Sequence, residues 1–275
     1  MNPTDAAVFQ LDKVSFLYQR ERSALEMIDL CIRPGEQIVV LGANGCGKSS
    51  LLLLLAGLLQ PTSGSLYAFG EEVTEEKLNR ERFASFFRSR VGLVFQNPDV
   101  QLFCSTVWEE LAFGPLQLDL PGPEVRHRCE SVLQLLGIAH LRDRAPFQLS
   151  GGEKKKVAIA SVLTMNPEVL LLDEPAGSLD PRTQAWLVEF LQQLRASGKT
   201  LVTASHDLSL IDEIATRAVV LGEDHRLAAD GPVERILEDQ ELMLKANLIH
   251  EHTHHHGSLI HRHRHSHIVG HRHSH

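Results

Sequence analysis

A glycine-rich segment followed by a lysine and two serines offers the clearest chemistry in the sequence. Residues 42–49 read GANGCGKS, which satisfies the P-loop pattern G-x-x-x-x-G-K-[ST]. Glycines let the backbone curl so that several N–H groups point at phosphate oxygens, and the N-terminal end of a following helix adds positive potential. We therefore expect the phosphate-binding residues to be Gly42, Ala43, Asn44, Gly45, Cys46, Gly47, Lys48, Ser49 and Ser50.

The side chains at the end of this segment suit a nucleoside triphosphate and its metal ion. Lys48 would place an ammonium on the β and γ phosphates, and Ser49 would offer its hydroxyl to Mg²⁺. Cys46 fills a variable position of the pattern, and we expect its thiol to lie beside the nucleotide. An apolar run precedes the segment and leucines follow it, which predicts a strand, a turn and a helix in that order.

An acidic pair adds a second part to the predicted site. Asp173 and Glu174 follow the apolar run Val169–Leu172. Side chains at the carboxyl end of a strand face the ligand crevice of an α/β sheet. Asp173 can then hold Mg²⁺ through its water shell, while Glu174 polarises an attacking water. Alone, such a pair is more often a solvated strand end, but the P-loop upstream favours the metal site.

Short apolar runs separated by helical stretches indicate an α/β fold. The runs at residues 38–41, 169–172, 201–204 and 218–221 each read as a strand buried on both faces, which predicts a parallel sheet. Residues 97–149 differ, because helical periodicity, clearest over residues 125–136, lies there between prolines. We interpret this stretch as a helical insertion, with breaks at Pro115, Pro121, Pro123 and Pro146.

A short motif after the insertion resembles that of a known family. Residues 149–153 read LSGGE and resemble the signature motif of ABC ATPases, which are P-loop NTPases. By the same resemblance Gln96 is the Q-loop glutamine, which joins Ser49 and Asp173 in holding Mg²⁺. Residues 178–180 form the D-loop, which brings Asp180 to the nucleotide. Without this context, Gln96 would carry no signal of its own.

Two further residues take their roles from this resemblance. His206 is the switch histidine at the γ-phosphate and forms the catalytic pair with Glu174; the alternative is a strand-end histidine with no such role. Tyr18 stands where the family stacks an aromatic ring on adenine, although an aromatic in a first strand is often plain core. The resemblance covers residues 8–247, with a helical subdomain at about 97–155, and implies ATP and Mg²⁺ as cofactors.

The resemblance also implies a second nucleotide-binding subunit. In a head-to-tail dimer, which we expect to be a homodimer, Ser150 and the amides of Gly151 and Gly152 from one subunit would complete the γ-phosphate site of the other. ATP hydrolysis would then require the two sites to close together. Residues 154–156 are lysines where many relatives carry a Gln/Arg-rich run, which leaves the contacts of this helix open.

The segment QNPDVQLF at residues 96–103 is more specific than a general Q-loop. It is similar to the corresponding stretch in ATPases of energy-coupling-factor importers, particularly the cobalt and nickel branch; the alternative is a Q-loop of another importer. The resemblance implies that a groove beside Gln96 grips a cytoplasmic helix of a membrane-spanning subunit. Hydrolysis of ATP by this chain would then drive uptake of Ni²⁺ or Co²⁺ through that separate subunit.

A histidine-rich tail occupies residues 248–275. Only four of the chain's 16 histidines lie ahead of residue 250, and the tail shows no apolar periodicity, so we expect it to be disordered. Clustered imidazoles suit nickel, cobalt, copper and zinc without selecting one; a purification tag or an inert tail is the alternative. The candidate ligands are His254, His255, His256, His261, His263, His265, His267, His271, His273 and His275.

Composition narrows the remaining possibilities. The net charge of −8 argues against general nucleic-acid binding, and the four cysteines form no CxxC pair, which fits a reducing cytoplasm. The N-terminus lacks a signal-peptide layout, and the apolar stretch 51–59 is far shorter than the ~20 residues of a spanning helix. We therefore expect no membrane span and a peripheral location at the cytoplasmic face of the membrane.

Three other functions remain open on the sequence. The chain could power import of a vitamin or another small solute, with the tail incidental. It could instead store or sense metal, with the nucleotide domain gating the tail. A soluble ABC ATPase of DNA repair or translation would normally carry tandem domains or long inserted arms, and this sequence shows neither.

Overall fold

The four apolar runs of the sequence form central strands of one sheet. The structure, a computed structural model, describes residues 7–19, 22–177, 179–208, 211–256 and 259–266, without side chains from residue 250 onward. Its strands are β1 (Phe9–Tyr18), β2 (Arg22–Ile32), β3 (Gln37–Leu41), β4 (Ser63–Ala68), β5 (Glu71–Glu72), β6 (Val91–Val94), β7 (Val169–Asp173), β8 (Thr200–Ala204), β9 (Arg217–Leu221), β10 (Leu227–Pro232), β11 (Ile249–His256) and β12 (Leu259–Ser266).

The helices lie mainly between these strands. They are α1 (Lys48–Leu55), α2 (Glu75–Leu78), α3 (Glu81–Arg90), α4 (Val107–Gln117), α5 (Gly122–Leu135), α6 (Gly151–Leu163), α7 (Pro181–Ala196), α8 (Ile211–Ile214), α9 (Val233–Glu238) and α10 (Gln240–Lys245). Single 3₁₀ turns occur at Pro98–Val100, Ala139–Leu141 and Pro146–Gln148. Helices and parallel strands therefore alternate, as an α/β fold requires.

The main sheet has the strand order β10-β9-β3-β8-β7-β6. All its neighbours pair in parallel except β9 and β10. Every residue of β3, β7 and β8 is buried, which confirms the prediction of strands covered on both faces. Because the strands are parallel, the carboxyl ends of β3, β8, β7 and β6 meet at one edge.

A second sheet, with the order β2-β1-β4-β5, is antiparallel and was not predicted. Its strands alternate buried and exposed residues only in part, because the β1–β2 register shifts between Leu11 and Val14 and again near Phe16. Lys13 and Met27 adopt positive φ angles of 48° and 50° at these irregularities. Such bulges interrupt the period of two on which recognition of a strand depends.

Side chains on the two faces of the main sheet enter different parts of the core. Val169 and Leu171 of β7 pack with the antiparallel sheet and α1. Leu170 and Leu172 face the other way, toward the helices of the insertion and α7. The sheet is thus the middle layer of three, and its burial holds its carboxyl-terminal edge in place.

The insertion between β6 and β7 is helical, as predicted, with α4 packed on α5 and α6. The break predicted at Pro115 is wrong, because this proline lies inside α4. The N–H that Pro115 lacks would have donated to the carbonyl oxygen of Leu111, so α4 loses one hydrogen bond there and ends two residues later. Pro121, Pro123 and Pro146 do stand at the starts of elements, as expected.

The described part of the C-terminal tail consists of two strands, and the disorder of the tail as a whole stays a prediction. Strands β11 and β12 pair antiparallel, with Ile249 opposite Ser266 and His256 opposite Leu259. The alternation of histidine and arginine at residues 261–265 gives a period of two, which suits an extended strand. Strand β11 holds His254, His255 and His256, strand β12 holds His261, His263 and His265, and His267, His271, His273 and His275 lie outside the described residues.

Within the described part of the chain, no helix combines the length and apolar character that crossing a bilayer requires. The longest helix, α7, has 16 residues and presents polar side chains on its outer face.

The buried side chains of the central strands should contribute most to the free energy of unfolding. Replacing Leu171, which is fully buried, by alanine is expected to lower the free energy of unfolding by about 2–5 kcal/mol, because it opens a cavity in β7. Leu58→Ala is the matched control, since that side chain is 59% exposed and its loss should cost no more than about 0.5 kcal/mol. Urea unfolding of both variants measures the difference, and equal midpoints would contradict this account of the core.

Candidate nucleotide site

The candidate site lies where the parallel strands end. Gly42 follows β3, Gln96 follows β6 after one residue, Asp173 ends β7, and His206 follows β8 after one residue. Ligands of α/β sheets bind in the crevice outside the carboxyl ends of strands. The sheet therefore gathers the predicted P-loop, Q-loop, acidic pair and switch histidine at one edge.

The P-loop needs glycine for backbone reasons that are clearest at Gly47. This residue has a φ angle of 115°, and a Cβ atom on it would lie 2.1 Å from the carbonyl oxygen of Ala24. Any larger residue would push the loop away from β2 and move the start of α1. The helix N-terminus directly after Gly47 has no side-chain cap, so its first N–H groups remain directed at a ligand position.

Lys48 is folded back onto the loop that precedes it. Its Nζ atom donates to the carbonyl oxygens of Gly42 at 2.8 Å and Ala43 at 3.1 Å, and it lies 3.8 Å from Oε1 of Glu174. The side chain is only 6% exposed. A buried ammonium held by loop carbonyls and one carboxylate is ready to exchange these contacts for phosphate oxygens, which are stronger partners.

Asp173 and Ser49 form a set of oxygen atoms that fits Mg²⁺. The Ser49 hydroxyl is hydrogen-bonded to Asp173, which lowers the pKa of that carboxyl, but burial is the larger effect and raises it overall. Oδ1 of Asp173 is buried and has no hydrogen-bond partner within the described structure. An orphaned carboxylate oxygen beside a serine hydroxyl matches the hard oxygen ligands that Mg²⁺ takes.

Glu174 occupies a strained and buried position. Its φ angle is 42°, unusual for a residue with a side chain, and its backbone N–H donates to the carbonyl oxygen of Ala204. Oε1 lies 2.8 Å from Nδ1 of His206, whose side chain is 45% exposed. The carboxylate thus sits between the Lys48 ammonium and a histidine that reaches toward solvent, a geometry suited to orienting a water molecule.

A cavity of about 310 Å³ opens over these groups. The Tyr18 hydroxyl lies 3.2 Å from Oγ of Ser50, and its ring, 40% exposed, packs edge-on against Phe16. Arg22 and Ser23, which no motif of the sequence indicates, also line the cavity. They reach it because the strand register places Arg22 opposite Tyr18. The predicted residues that line the cavity are Tyr18, Asn44, Gly45, Gly47, Lys48, Ser49, Ser50, Gln96 and Glu174.

The expectation that the Cys46 thiol lies beside the nucleotide is wrong. The side chain is 2% exposed, packs in the core with the antiparallel sheet, and is absent from the cavity lining. Burial raises the pKa of its thiol more than Lys48 lowers it, which disfavours the thiolate form. The Cys46 Sγ atom packs against Gly42 so closely that a Cβ atom added to Gly42 would lie 2.5 Å from it.

The signature segment lies outside this cavity. The Ser150 hydroxyl caps α6 and pairs with Glu153 in a capping box. A Cβ atom added to Gly151 would have no neighbouring atom within 4 Å, so the space beside this glycine is open. Asp180 is likewise engaged as the cap of α7, where Arg182 and Thr183 donate to its carboxylate and hold its pKa below the usual range. A single chain therefore does not bring Ser150, Gly151, Gly152 or Asp180 to its own P-loop.

Comparison with known proteins agrees with this geometry. The family described as ABC transporter matches residues 25–177. A putative ABC transporter ATP-binding protein of Methanosarcina acetivorans is 53% identical over 91% of this chain and 92% of its own length. The nickel import ATP-binding protein NikO of Rhodobacter capsulatus is 48% identical over 88% of this chain and 95% of its own.

Solved structures show the same fold. The cbiO1 protein of Clostridium perfringens, part of the ABC transporter complex cbiONQ, superposes with a TM-score of 0.75 and 33% identity over 89% of this chain and 96% of its own. The ATP-binding cassette MJ0796, solved as a dimer bound to ADP and Pi, has a TM-score of 0.74 and 27% identity over 82% and 98%. The predicted fold class and the recognition from the motifs are confirmed, and the chain belongs to the ABC transporter family as an ATP-binding, ATP-hydrolysing subunit.

Proposed function

We propose that this chain hydrolyses ATP to drive import of Ni²⁺ or Co²⁺ through separate membrane-spanning subunits, from the cytoplasmic face of the membrane. The observation that carries the proposal is an apolar groove beside the Q-loop, in the part of the chain that resembles nickel and cobalt importers. The name of NikO of Rhodobacter capsulatus, a nickel import ATP-binding protein, supports nickel as the cargo, and the likeness to cbiO1 supports a transporter complex. The rival is an importer of a vitamin or another small solute.

Hydrolysis is assigned to the groups that surround Glu174. Lys48 would leave the carbonyl oxygens of Gly42 and Ala43 and bind the phosphates. Glu174 would orient the attacking water and take up its proton, while His206 fixes the carboxylate through the 2.8 Å contact and reaches the γ-phosphate. Mg²⁺, held by Ser49, Asp173 and Gln96, would neutralise charge on the phosphate oxygens.

The complete site requires a second copy of the chain in this proposal. Ser150 and Gly151 are exposed at the N-terminus of α6 and do not reach the P-loop of their own chain. A head-to-tail homodimer would bring this helix end, with Gly152, to the γ-phosphate bound by the partner, and the Asp180 segment would lie near the same interface. The dimeric structure of MJ0796 with ADP and Pi supports a dimer of this chain.

The groove proposed to bind the membrane subunit has a volume of about 560 Å³. Phe103 and Phe113 meet edge-on at its rim, 4.9 Å apart, although they are 68% and 43% exposed. Leu58, which also lines the groove, is exposed as well. A contiguous apolar surface of this kind marks a docking site, and an amphipathic helix of the transporter subunit is the proposed occupant.

The histidine-rich tail is proposed to bind the transported metal. The first residue of the tail, Leu248, packs into the core with Met243. Imidazole nitrogen suits Ni²⁺ and Co²⁺, and the tail offers it without thiols. A protein that stores or senses metal would use the same tail without a membrane partner, and metal uptake distinguishes the two functions.

Replacing the proposed base should separate binding from chemistry. Glu174→Gln is expected to bind ATP normally but to hydrolyse it roughly 10²- to 10⁴-fold more slowly, because the water loses its general base. Lys48→Ala should instead lose ATP binding. Steady-state ATPase rates and nucleotide titrations measure both effects.

The matched control is Glu189→Gln, which removes an exposed carboxylate on α7 and should leave the ATPase rate unchanged. Near-normal turnover by Glu174→Gln would show that another group activates the water.

Metal uptake tests the direction and cargo of transport. In cells that carry this chain with its membrane subunits, radiolabelled Ni²⁺ or Co²⁺ should accumulate, and Glu174→Gln should reduce the rate by at least about tenfold, in line with its lost hydrolysis. Glu189→Gln again serves as the control. If Glu174→Gln leaves metal uptake intact but abolishes uptake of a vitamin, the rival importer is correct.

Removing the tail should separate metal binding from ATP hydrolysis. A chain ending at Ile249 retains the buried Leu248, so its ATPase rate should stay within about twofold of that of the full chain. The same truncation should abolish most Ni²⁺ or Co²⁺ binding in calorimetric titrations. Binding by the full chain should weaken below about pH 6.5, where free imidazoles protonate and cannot bind metal. Unchanged metal affinity after truncation would exclude the tail as the binding site.

A further inference from the structure

A buried lysine connects the signature helix to the Q-loop. Lys155, in the second turn of α6, is 2% exposed. Its Nζ atom donates to the carbonyl oxygen of Gln96 at 2.8 Å and to that of Phe95 at 3.2 Å. Both are main-chain acceptors directly after β6. A lysine is almost never buried so completely without a compensating partner, and here the compensation comes from the Q-loop backbone.

Two further contacts join the same pieces of chain. Lys154 forms a 2.6 Å ion pair with Asp99. The Gln101 side chain donates to the carbonyl oxygen of Ala158 at 2.8 Å and accepts from the N–H of Phe95 at 3.1 Å. Residues 95–101 are thus fastened along one side of α6. The Lys155 contact is the only one of these three in which a fully buried charge takes part.

The charge of Lys155 also belongs to the nucleotide site. Burial lowers the pKa of its ammonium to about 8, and attraction to the carboxylates of Asp173 and Glu174 opposes that shift. The lysine is therefore close enough to both carboxylates to interact with them, although it is absent from the cavity lining. Gln96 lines the cavity, so the main chain that Lys155 contacts belongs to a residue of the nucleotide site.

We propose that Lys155 is a positioning residue for ATP hydrolysis, which fixes the Q-loop main chain to the signature helix so that Gln96 and the N-terminus of α6 are held in one rigid unit. This inference rests on the proposed roles of Gln96 and the signature segment. Gln96 faces the ATP site of its own chain, whereas the N-terminus of α6 would serve the site of the partner. One buried ammonium thereby sets the relative placement of groups that act in two different sites.

Loss of this contact should impair catalysis more than nucleotide binding. Without Lys155, the carbonyl oxygens of Phe95 and Gln96 are left without their buried donor, and the Q-loop main chain shifts away from α6. The P-loop contacts that bind the phosphates are untouched. Displacement of a positioning group by about 1 Å can cost on the order of 10²-fold in rate, so kcat should fall while ATP affinity is kept.

A double-mutant cycle on the full-length protein tests the proposal. Lys155→Met keeps the length of the side chain but removes the charge and the donor, and kcat should fall roughly 10- to 100-fold. Affinity for a fluorescent ATP analogue without Mg²⁺ should stay within about twofold. Since Lys155 acts through Gln96, Lys155→Met should cost little further rate in a Gln96→Ala background. Lys156→Met is the control, because that ammonium lies 4.4 Å from the Trp186 ring and away from the Q-loop.

The outcomes distinguish the proposed role of Lys155 from the roles assigned to Gln96 and Glu174. A Lys155→Met protein with normal kcat overturns the proposal, and so does an equal loss of rate in the wild-type and Gln96→Ala backgrounds. Normal turnover by Gln96→Ala overturns the Q-loop assignment itself, while Glu174→Gln still decides where the chemistry occurs. If Lys155→Met fails to fold, the same cycle is measured with Lys155→Gln, which keeps an amide donor for the Q-loop carbonyl oxygens.

Discussion

The parallel pairing of β3 with β8 and of β8 with β7 is the constraint on which the site depends. Parallel strands must end at the same edge, so residues far apart in the chain arrive within contact distance without any direct attraction between them. Val40 pairs with Ala204, and Asp173 pairs with Ala204 on the other side. The P-loop, the acidic pair and the histidine after β8 take their positions from this backbone arrangement.

The same edge concentrates charges that are costly to bury. Lys48, Asp173, Glu174 and Lys155 are all less than 10% exposed. Removing one member would leave an opposite charge buried without its partner, which is more damaging than losing a surface pair. The site is therefore held as a balanced group of two ammonium and two carboxylate side chains. Two features at the same edge suit the proposed chemistry: Oδ1 of Asp173 has no hydrogen-bond partner within the described part of the chain, and Glu174 has a positive φ angle of 42°.

The helical insertion carries the parts of the protein that face outward. It presents the signature segment at one end and the Phe103–Phe113 pair at the groove, while Lys155 connects it back to the Q-loop. The insertion helices share one buried apolar cluster with Leu170 and Leu172 of the sheet, so a shift at one end of these helices can be transmitted to the other. Closure at a nucleotide and movement of the proposed membrane partner would thus be linked through one group of helices.

The sequence by itself determined the local features, because each depends on residue types at fixed spacing. The sequence predicts the P-loop at residues 42–49, the four buried strands and the family signature, because each of these patterns extends over only a few residues. The tertiary structure alone decided what depends on distant packing. It buried the Cys46 thiol, placed Pro115 inside α4, interrupted the β1–β2 pairing with bulges, and paired the tail strands. It also buried Lys155 in contact with the Q-loop carbonyl oxygens, because burial and long-range hydrogen bonds arise only when separate segments of the chain pack together.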